Sequence, residues 1–289
     1  VPARRTPAIT PTLDPFIRRE QGDTDMSNST ISRANDRIVR TAQDVAGLGT
    51  ILGVWAHPDD EVYLSAGVMA AAAAAGNRVV VVTATRGERG TDDPARWPPA
   101  RLAEVRVREL AASLAVLDGG RGRIEHRYLG EHTGRCYLDG ELAHGRSGPA
   151  VAELAGIVDE VAPDTILTFG PDGMTGHPDH RAVSAWTDRA VRAATWHGAR
   201  VLHAVVTAGY HRDFSGMLES IDGGGDAFPA VARRHLAVDV VLRSGALQRK
   251  LAALDAHATQ VGPLQRMLGD DGYRLLVEGE WFRAAGLRS

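Results

Sequence analysis

The chain has a single cysteine, Cys136, so no disulfide framework can hold it together. That usage fits a reducing compartment, and we expect a cytoplasmic protein in which Cys136 is a buried or incidental thiol. No stretch approaches the roughly 18 consecutive apolar residues of a membrane span, and Met69–Ala75 reads as a short alanine-rich helix interior. Aromatic residues make up only 5% of the sequence, and lysine is scarce beside arginine. Neither sign of charge dominates: 33 Lys and Arg stand against 36 Asp and Glu, for a net charge of −3. The arginines are spread along the chain, which argues against a nucleic-acid partner. Three signatures are also missing. There is no Walker A loop and no Gly-x-Ser-x-Gly elbow, and Gly87-Glu88-Arg89-Gly90 has the wrong spacing for a dinucleotide fingerprint.

What is present gathers at two places. Ile51-Leu52-Gly53-Val54-Trp55-Ala56 reads as a buried strand and runs into His57-Pro58-Asp59-Asp60-Glu61. Thr165-Ile166-Leu167-Thr168-Phe169 reads as another strand, followed after a short loop by Gly176-His177-Pro178-Asp179-His180. In α/β proteins ligands gather outside the carboxyl ends of strands, so two such ends suggest one shared site. His57 and Asp60 are three apart and can share one side of a helical turn. With His180 they offer two imidazoles and one carboxylate, the donor set of a catalytic zinc site with a position left for water. Asp59 would lie beside the metal as a general base. His177, a turn before His180, would be an acid or an electrostatic group near the metal. Either cluster alone would read as ordinary surface polarity. Two clusters, both led by His-Pro-Asp and both at strand ends, do not.

These two segments resemble the LmbE/PIG-L family of zinc-dependent N-deacetylases, which includes deacetylases of mycothiol synthesis and of glycopeptide antibiotics. The resemblance spans roughly Ile51 to Gln260. Further matching segments are Thr85-Arg86-Gly87-Glu88-Arg89-Gly90, Arg106-Val107-Arg108-Glu109-Leu110, His257-Ala258-Thr259-Gln260 after Lys250, and Glu280-Trp281-Phe282. Carried over, it implies one zinc ion on His57, Asp60 and His180, with Asp59 as base. His177 would stabilise the tetrahedral intermediate or protonate the leaving amine, and Arg106 would bind substrate. One departure matters. Some members carry a tyrosine two residues before the first histidine of the second cluster, where this chain has Thr175.

The rest of the chain organises around those strands. Residues 1–32 lack periodic apolar positions and read as a tail. Arg4-Arg5 is not followed by the apolar region of an export signal. Residues 33–289 read as one domain with helical spacing over Ser32–Leu48. Helices are predicted over Glu61–Ala75, Ala100–Leu117, Val151–Val161, Pro178–Thr195 and Ser244–Ala256. Further strands are predicted over Arg78–Thr85, Ile124–Leu129, Arg200–Thr207 and Leu236–Val241, with a short remainder. Alternating strands and helices predict an α/β fold: a Rossmann-like, mostly parallel sheet with helices on both faces and the metal site at the carboxyl ends of the strands. Three loops flank that end: Arg86–Pro99, Gly130–Pro149 and the Gly-rich Gly209–Val231. Arg86, Trp97 and Tyr210 in or beside these loops are candidate substrate contacts, although lone loop aromatics more often serve local packing. His257 joins them through the family match.

The expected activity is zinc-dependent removal of an N-acyl group, acetyl foremost, from an amino sugar in a small glycoside or glycosylated natural product. An amidase acting on a mycothiol-type S-conjugate is the nearest alternative. A non-catalytic metal- or sugar-binding protein would need a damaged site, and a metallophosphoesterase would want two metals.

Overall fold

The structure is a computed structural model describing residues 38–145, 147–218 and 228–286. The expected tail, 1–32, and the Gly223-Gly224-Gly225 run lie outside the described residues. In chain order the main elements are α1 (Ala42–Val45), β1 (Ile51–Trp55), α2 (Asp60–Ala74), β2 (Val79–Thr83), α3 (Pro99–Asp118), β3 (Ile124–Tyr128), α4 (Ser147–Val161), β4 (Thr165–Phe169), α5 (Pro178–Ala193) and β5 (Arg200–Ala204). They continue with β6 (Val206–Thr207), α6 (Ala208–Asp213), α7 (Ser215–Leu218), β7 (Ala230–Val231), β8 (Val238–Val241), α8 (Ser244–Asp255), α9 (Ala258–Val277) and β9 (Gly279–Ala284).

The central sheet has seven strands in the order β3-β2-β1-β4-β5-β9-β8. β1 to β5 pair in parallel, and β9 runs antiparallel between β5 and β8. Every residue of β1, β2 and β4 is buried, as the continuous apolar runs of a doubly covered parallel sheet require. β3 lies at the edge and carries Glu125, His126 and Arg127 in partly open positions. Helices α2, α3 and α8 pack on one another, and α4 packs on α5. Right-handed crossovers explain this division. The chain moves outward from β1 to β3 in one direction and from β4 to β5 in the other, so the two helix sets fall on opposite faces.

Local chemistry fixes the boundaries. α2 ends at Gly76 with φ 91°, where a left-handed residue closes the last turn, and α3 ends likewise at Gly119 with φ 59°. Three sequence expectations need correction. The last segment is not a short remainder: α9 and β9 fill it, and β9 enters the sheet. The predicted strand Arg200–Thr207 divides, because Val206 and Thr207 leave the central sheet to pair with β7. The supposed loop Gly209–Val231 is helical at its start. Thr207 caps α6, its Oγ1 accepting the Tyr210 N–H at 3.1 Å.

Candidate metal centre

The strand order reverses between β1 and β4, so the chain diverges there and leaves a crevice at their carboxyl ends. Both His-Pro-Asp segments open onto it. Trp55 ends β1 and Phe169 ends β4, and their rings meet edge to face at 5.1 Å beneath the crevice. Asp60 is the first residue of α2. Its Oδ2 accepts the backbone N–H groups of His57 at 2.8 Å and Ala56 at 3.2 Å, which aims the carboxylate. His180 lies in the first turn of α5, and its ring stacks on Phe169 with centroids 4.1 Å apart.

His57, Asp60 and His180 converge. His180 Nε2 is 3.3 Å from His57 Nδ1 and 3.3 Å from Asp60 Oδ1, and His57 Nδ1 is 3.7 Å from Asp60 Oδ2. Two ligands about 2.0–2.1 Å from a tetrahedral ion lie roughly 3.3–3.4 Å apart, so the spacing fits a shared metal. The partners of the other ring nitrogens point the same way. His180 Nδ1 lies 3.0 Å from the Gly173 carbonyl, which can only accept, so the proton sits on Nδ1 and Nε2 keeps its lone pair. His57 Nε2 faces the carboxylates of Asp139 at 3.2 Å and Asp179 at 3.3 Å, so Nε2 carries the proton and Nδ1 keeps its lone pair. With His57 neutral, three lone-pair donors thus face one point, an arrangement that repels itself unless a metal ion, or a proton taken up by His57, sits among them.

The surrounding charge favours a cation. Burial pushes the His57 imidazolium down, but hydrogen bonds to Asp139 and Asp179 and the field of Asp60 outweigh it and raise its pKa to about 10. Burial likewise opposes the Asp60 carboxylate, yet His180 and His57 hold its pKa well below the usual range. Carboxylates on the far nitrogen of a ligating imidazole orient the ring and strengthen its donor atom. Asp179 and Asp139 are themselves anchored. Asp179 accepts N–H groups of Gly140 at 2.7 Å and Leu142 at 3.0 Å, and Asp139 accepts the Arg89 N–H at 3.1 Å. The Asp139 N–H in turn donates to Glu88 Oε1 at 2.9 Å. The irregular segment 130–149 is thereby tied to His57.

Asp59 sits just before α2 with φ 113°, a left-handed conformation that few side chains adopt without strain. Three contacts hold it. Its N–H donates to Glu61 Oε2 at 3.1 Å, Arg106 Nη2 reaches its Oδ2 at 3.2 Å, and the same Nη2 donates to the carbonyl of Pro58. Arg106 Nη1 donates to the Gly87 carbonyl at 2.9 Å. A Cβ at Gly87 or Gly90 would collide with that guanidinium, which is why the Gly-Glu-Arg-Gly loop can lie flat against it. Burial raises the Asp59 pKa to about 6, with Arg106 pulling against it. His257 is fully buried, its Nε2 3.5 Å from Glu61 Oε1, so it backs the carboxylate that holds Asp59.

His177 caps α5, its Nδ1 accepting the Asp179 N–H at 3.1 Å. Its Nε2 is therefore the protonated nitrogen, and burial lowers its pKa, so it is a neutral donor at pH 7. Its ring lies 4.9 Å from that of His57 and 5.0 Å from that of His180. Thr175, where some relatives of the motif have tyrosine, directs Oγ1 to His180 Nδ1 at 3.1 Å. The remaining expected residues make their ring contacts with other side chains. Arg86 lies over the Tyr128 ring at 5.1 Å, and the guanidinium groups of Arg96 and Arg101 lie 5.4 and 5.2 Å from the centre of the Trp97 ring. Tyr210 packs edge-on against Trp281 in the wall of an apolar cavity that also includes Asp60 and His180. Cys136 is exposed rather than buried.

Residues 52–191 match the family model described as PIG-L, GlcNAc-PI de-N-acetylase. The chain is 34% identical over 251 residues to the 1D-myo-inositol 2-acetamido-2-deoxy-alpha-D-glucopyranoside deacetylase of Kineococcus radiotolerans, covering 73% of this chain and 68% of that protein. The chain belongs to the PIG-L family. The protein of the same name from Nakamurella multipartita is 36% identical over 241 residues, covering 73% of this chain and 79% of its own. Two solved structures share the fold. A deacetylase of the teicoplanin pathway in complex with bog has a TM-score of 0.57 at 17% identity, covering 82% of this chain and 100% of that one. The N,N'-diacetylchitobiose deacetylase of Pyrococcus horikoshii has a TM-score of 0.53 at 21% identity, covering 84% and 86%. Both PIG-L histidine clusters of this chain, at His57 and His177–His180, fall inside the matched span. Asp139 and Asp179 gain no role from the sequence reading. Asp179 is visible there only as the centre of its motif, and Asp139 has no local signal beyond a turn-forming Asp-Gly pair.

Proposed function

We propose that this protein is a zinc-dependent N-deacetylase of an N-acetylated amino sugar, with one ion per chain. The observation that carries the reading is the meeting of three donor side chains beside a partly buried carboxylate with a raised pKa. His57 Nδ1, Asp60 and His180 Nε2 would hold the metal. When bound, the ion supplies Lewis acidity and makes a water acidic enough to act near neutral pH. Asp59, ionised above about pH 6, accepts the proton of the attacking water. Arg106 and Glu61 keep it in place for that transfer. The Nε2–H of His177 supplies a fixed donor for the amide oxygen as negative charge develops there. A C–O bond forms and the amide C–N bond breaks. The proton held by Asp59 passes to the leaving nitrogen, giving a carboxylic acid and an amine, and the acid's proton then moves to the amine so that they leave as carboxylate and ammonium.

The names of the relatives support the substrate class. They act on an N-acetylglucosaminyl inositol, and the structural neighbours are named for chitobiose and teicoplanin. The N-acetylglucosaminyl inositol of the sequence relatives supplies the chemical unit, an N-acetyl amino sugar. Phosphoester chemistry on two metals is disfavoured, because Asp139 and Asp179 are already engaged by backbone N–H groups and by His57. The test is amine release from N-acetylglucosaminyl glycosides by zinc-loaded protein, with Asp59→Asn as control and metal analysis of both. One zinc per chain and release lost in the control support the reading. Two metals per chain with no release from any amide would sink it.

A further inference from the structure

The cavity that includes Asp60 and His180 has a volume of about 210 Å³. Its other walls are largely apolar and come from distant parts of the chain: Leu64 on α2, Met174, Val206 on β6, Phe228, and Leu264 and Leu276 on α9. Most of the polar groups in those walls are already paired, the Tyr210 hydroxyl apart. Glu280 accepts from Lys250 Nζ and from the N–H groups of Gly67 and Val68, Thr175 Oγ1 meets His180, and the hydroxyls of Tyr63 and Tyr273 meet at 3.3 Å. Asp59, Glu88, Arg106, Asp139 and His177, by contrast, do not line this cavity. The metal cluster therefore stands between an apolar chamber and a set of charged groups.

An N-acyl amino sugar has the same division about its amide. One side is a polyol, whose hydroxyls would be left unpaired in the chamber, and the other is an acyl chain, which gains from burial. An acetyl group brings one methyl to a space far larger than it needs. We propose that the chamber receives the acyl half and is filled by a linear chain of about six to eight carbons, since a cavity of about 150 Å³ already encloses benzene. The substrate class is then a longer-chain N-acyl amino sugar. This rests on the deacylase reading above and goes beyond it in naming the acyl group.

The experiment uses zinc-loaded protein and methyl glucosaminides carrying N-acetyl, N-hexanoyl, N-octanoyl or N-dodecanoyl groups, together with the octyl glycoside of N-acetylglucosamine. Each buried methylene is worth roughly fourfold in binding at best. We expect kcat/KM to rise at least tenfold from acetyl to hexanoyl, mainly through KM, and to stop rising by dodecanoyl. Leu264→Trp and Leu64→Trp should each lower the octanoyl-to-acetyl ratio at least tenfold, with folding checked by Tm. A flat or falling series with acetyl still hydrolysed overturns the proposal and leaves the deacetylase reading intact. An equal gain for the octyl glycoside overturns it in favour of an aglycone site. Amine release from no member of the series overturns both.

Discussion

Lys250 is the only lysine in the chain, and both it and Glu280 are completely buried. Its Nζ donates to Glu280 Oε1 at 2.9 Å and to the Tyr63 carbonyl at 2.7 Å. Glu280 also accepts the N–H groups of Gly67 at 2.8 Å and Val68 at 2.9 Å. The pair therefore clamps β9 and α8 to the middle of α2, whose first residue is Asp60. Lys250→Met keeps the length of the side chain and removes its charge. It leaves a buried carboxylate with only backbone donors and strips the Tyr63 carbonyl of one partner. Breaking a buried pair from one side costs about 3–5 kcal/mol. At roughly 2–4 °C per kcal/mol for a domain of this size, Tm should fall by roughly 6–20 °C. Lys250→Met with Glu280→Gln removes both charges and should recover at least half of that loss. Thermal and urea unfolding of the two single variants and the double variant measure the coupling. A single-variant loss below about 1 kcal/mol, or a double variant as unstable as the sum of the singles, would place the pair with exposed ion pairs and refute the reasoning.

Other outcomes follow from the site. Asp59→Asn should keep its metal and lose about 10²–10⁴-fold in kcat, measured beside metal content. In the wild type, kcat/KM should fall as pH drops through about 6 or somewhat lower, because protonation removes the base and a nearby cation favours its ionised form; an acid limb above pH 7 would assign the base elsewhere. The same raised pKa makes the ionised Asp59 a destabilising group above pH 6 and a neutral one at pH 4. Metal-free Asp59→Asn should therefore gain stability over wild type at pH 8 and little at pH 4, read as Tm at each pH. Arg106→Met removes the charge that pulls Asp59 down, so the acid limb should move up by about 1–3 pH units. Asp179→Asn should weaken zinc binding about 10–100-fold by competition with a chelator, and unchanged affinity would remove it from the support of His57.

Much of the sheet was legible because its strands are short apolar runs that return at regular intervals between amphipathic helices. β1, β2 and β4 are buried on both faces and carry no competing signal. The carboxyl-terminal part was not legible, for reasons visible in its residues. α9 contains Pro263 and a left-handed Gly269, which break the helical pattern, and its buried face comes down to Val261, Tyr273, Leu276 and Val277. β9 places Glu280 among its buried residues. A glutamate in a six-residue segment reads as solvated surface unless Lys250, thirty positions earlier, is known to meet it. α6 is a single capped turn and a half, too short to show periodicity against its glycine.

The convergence of the candidate metal-binding side chains was legible for a different reason. The donors sit in two short segments that begin where recognisable strands stop, so topology alone brings them together at the point where the strand order reverses. What orders those donors comes from elsewhere and carries no local mark. His57 is held by Asp179 on α5 and by Asp139 in an irregular segment, and Asp59 by Arg106 on α3 and by Glu61, itself backed by His257. Each support is a buried charge whose partner lies far away in sequence, except Glu61, which is two residues from Asp59. Sequence proximity therefore reveals which atoms could bind a metal, whereas the tautomers that free those atoms depend on contacts made only in the folded chain. The same division holds for the proposed acyl chamber. The apolar chamber is assembled from α2, β6, α9 and the loop bearing Met174, and no one of these segments looks like a binding site by itself. Its apolar character goes with the pairing of Glu280 by Lys250 and with the side chains of Leu264 and Leu276 that α9 turns toward it. A change at either should alter the choice of acyl group before it alters the chemistry at the metal.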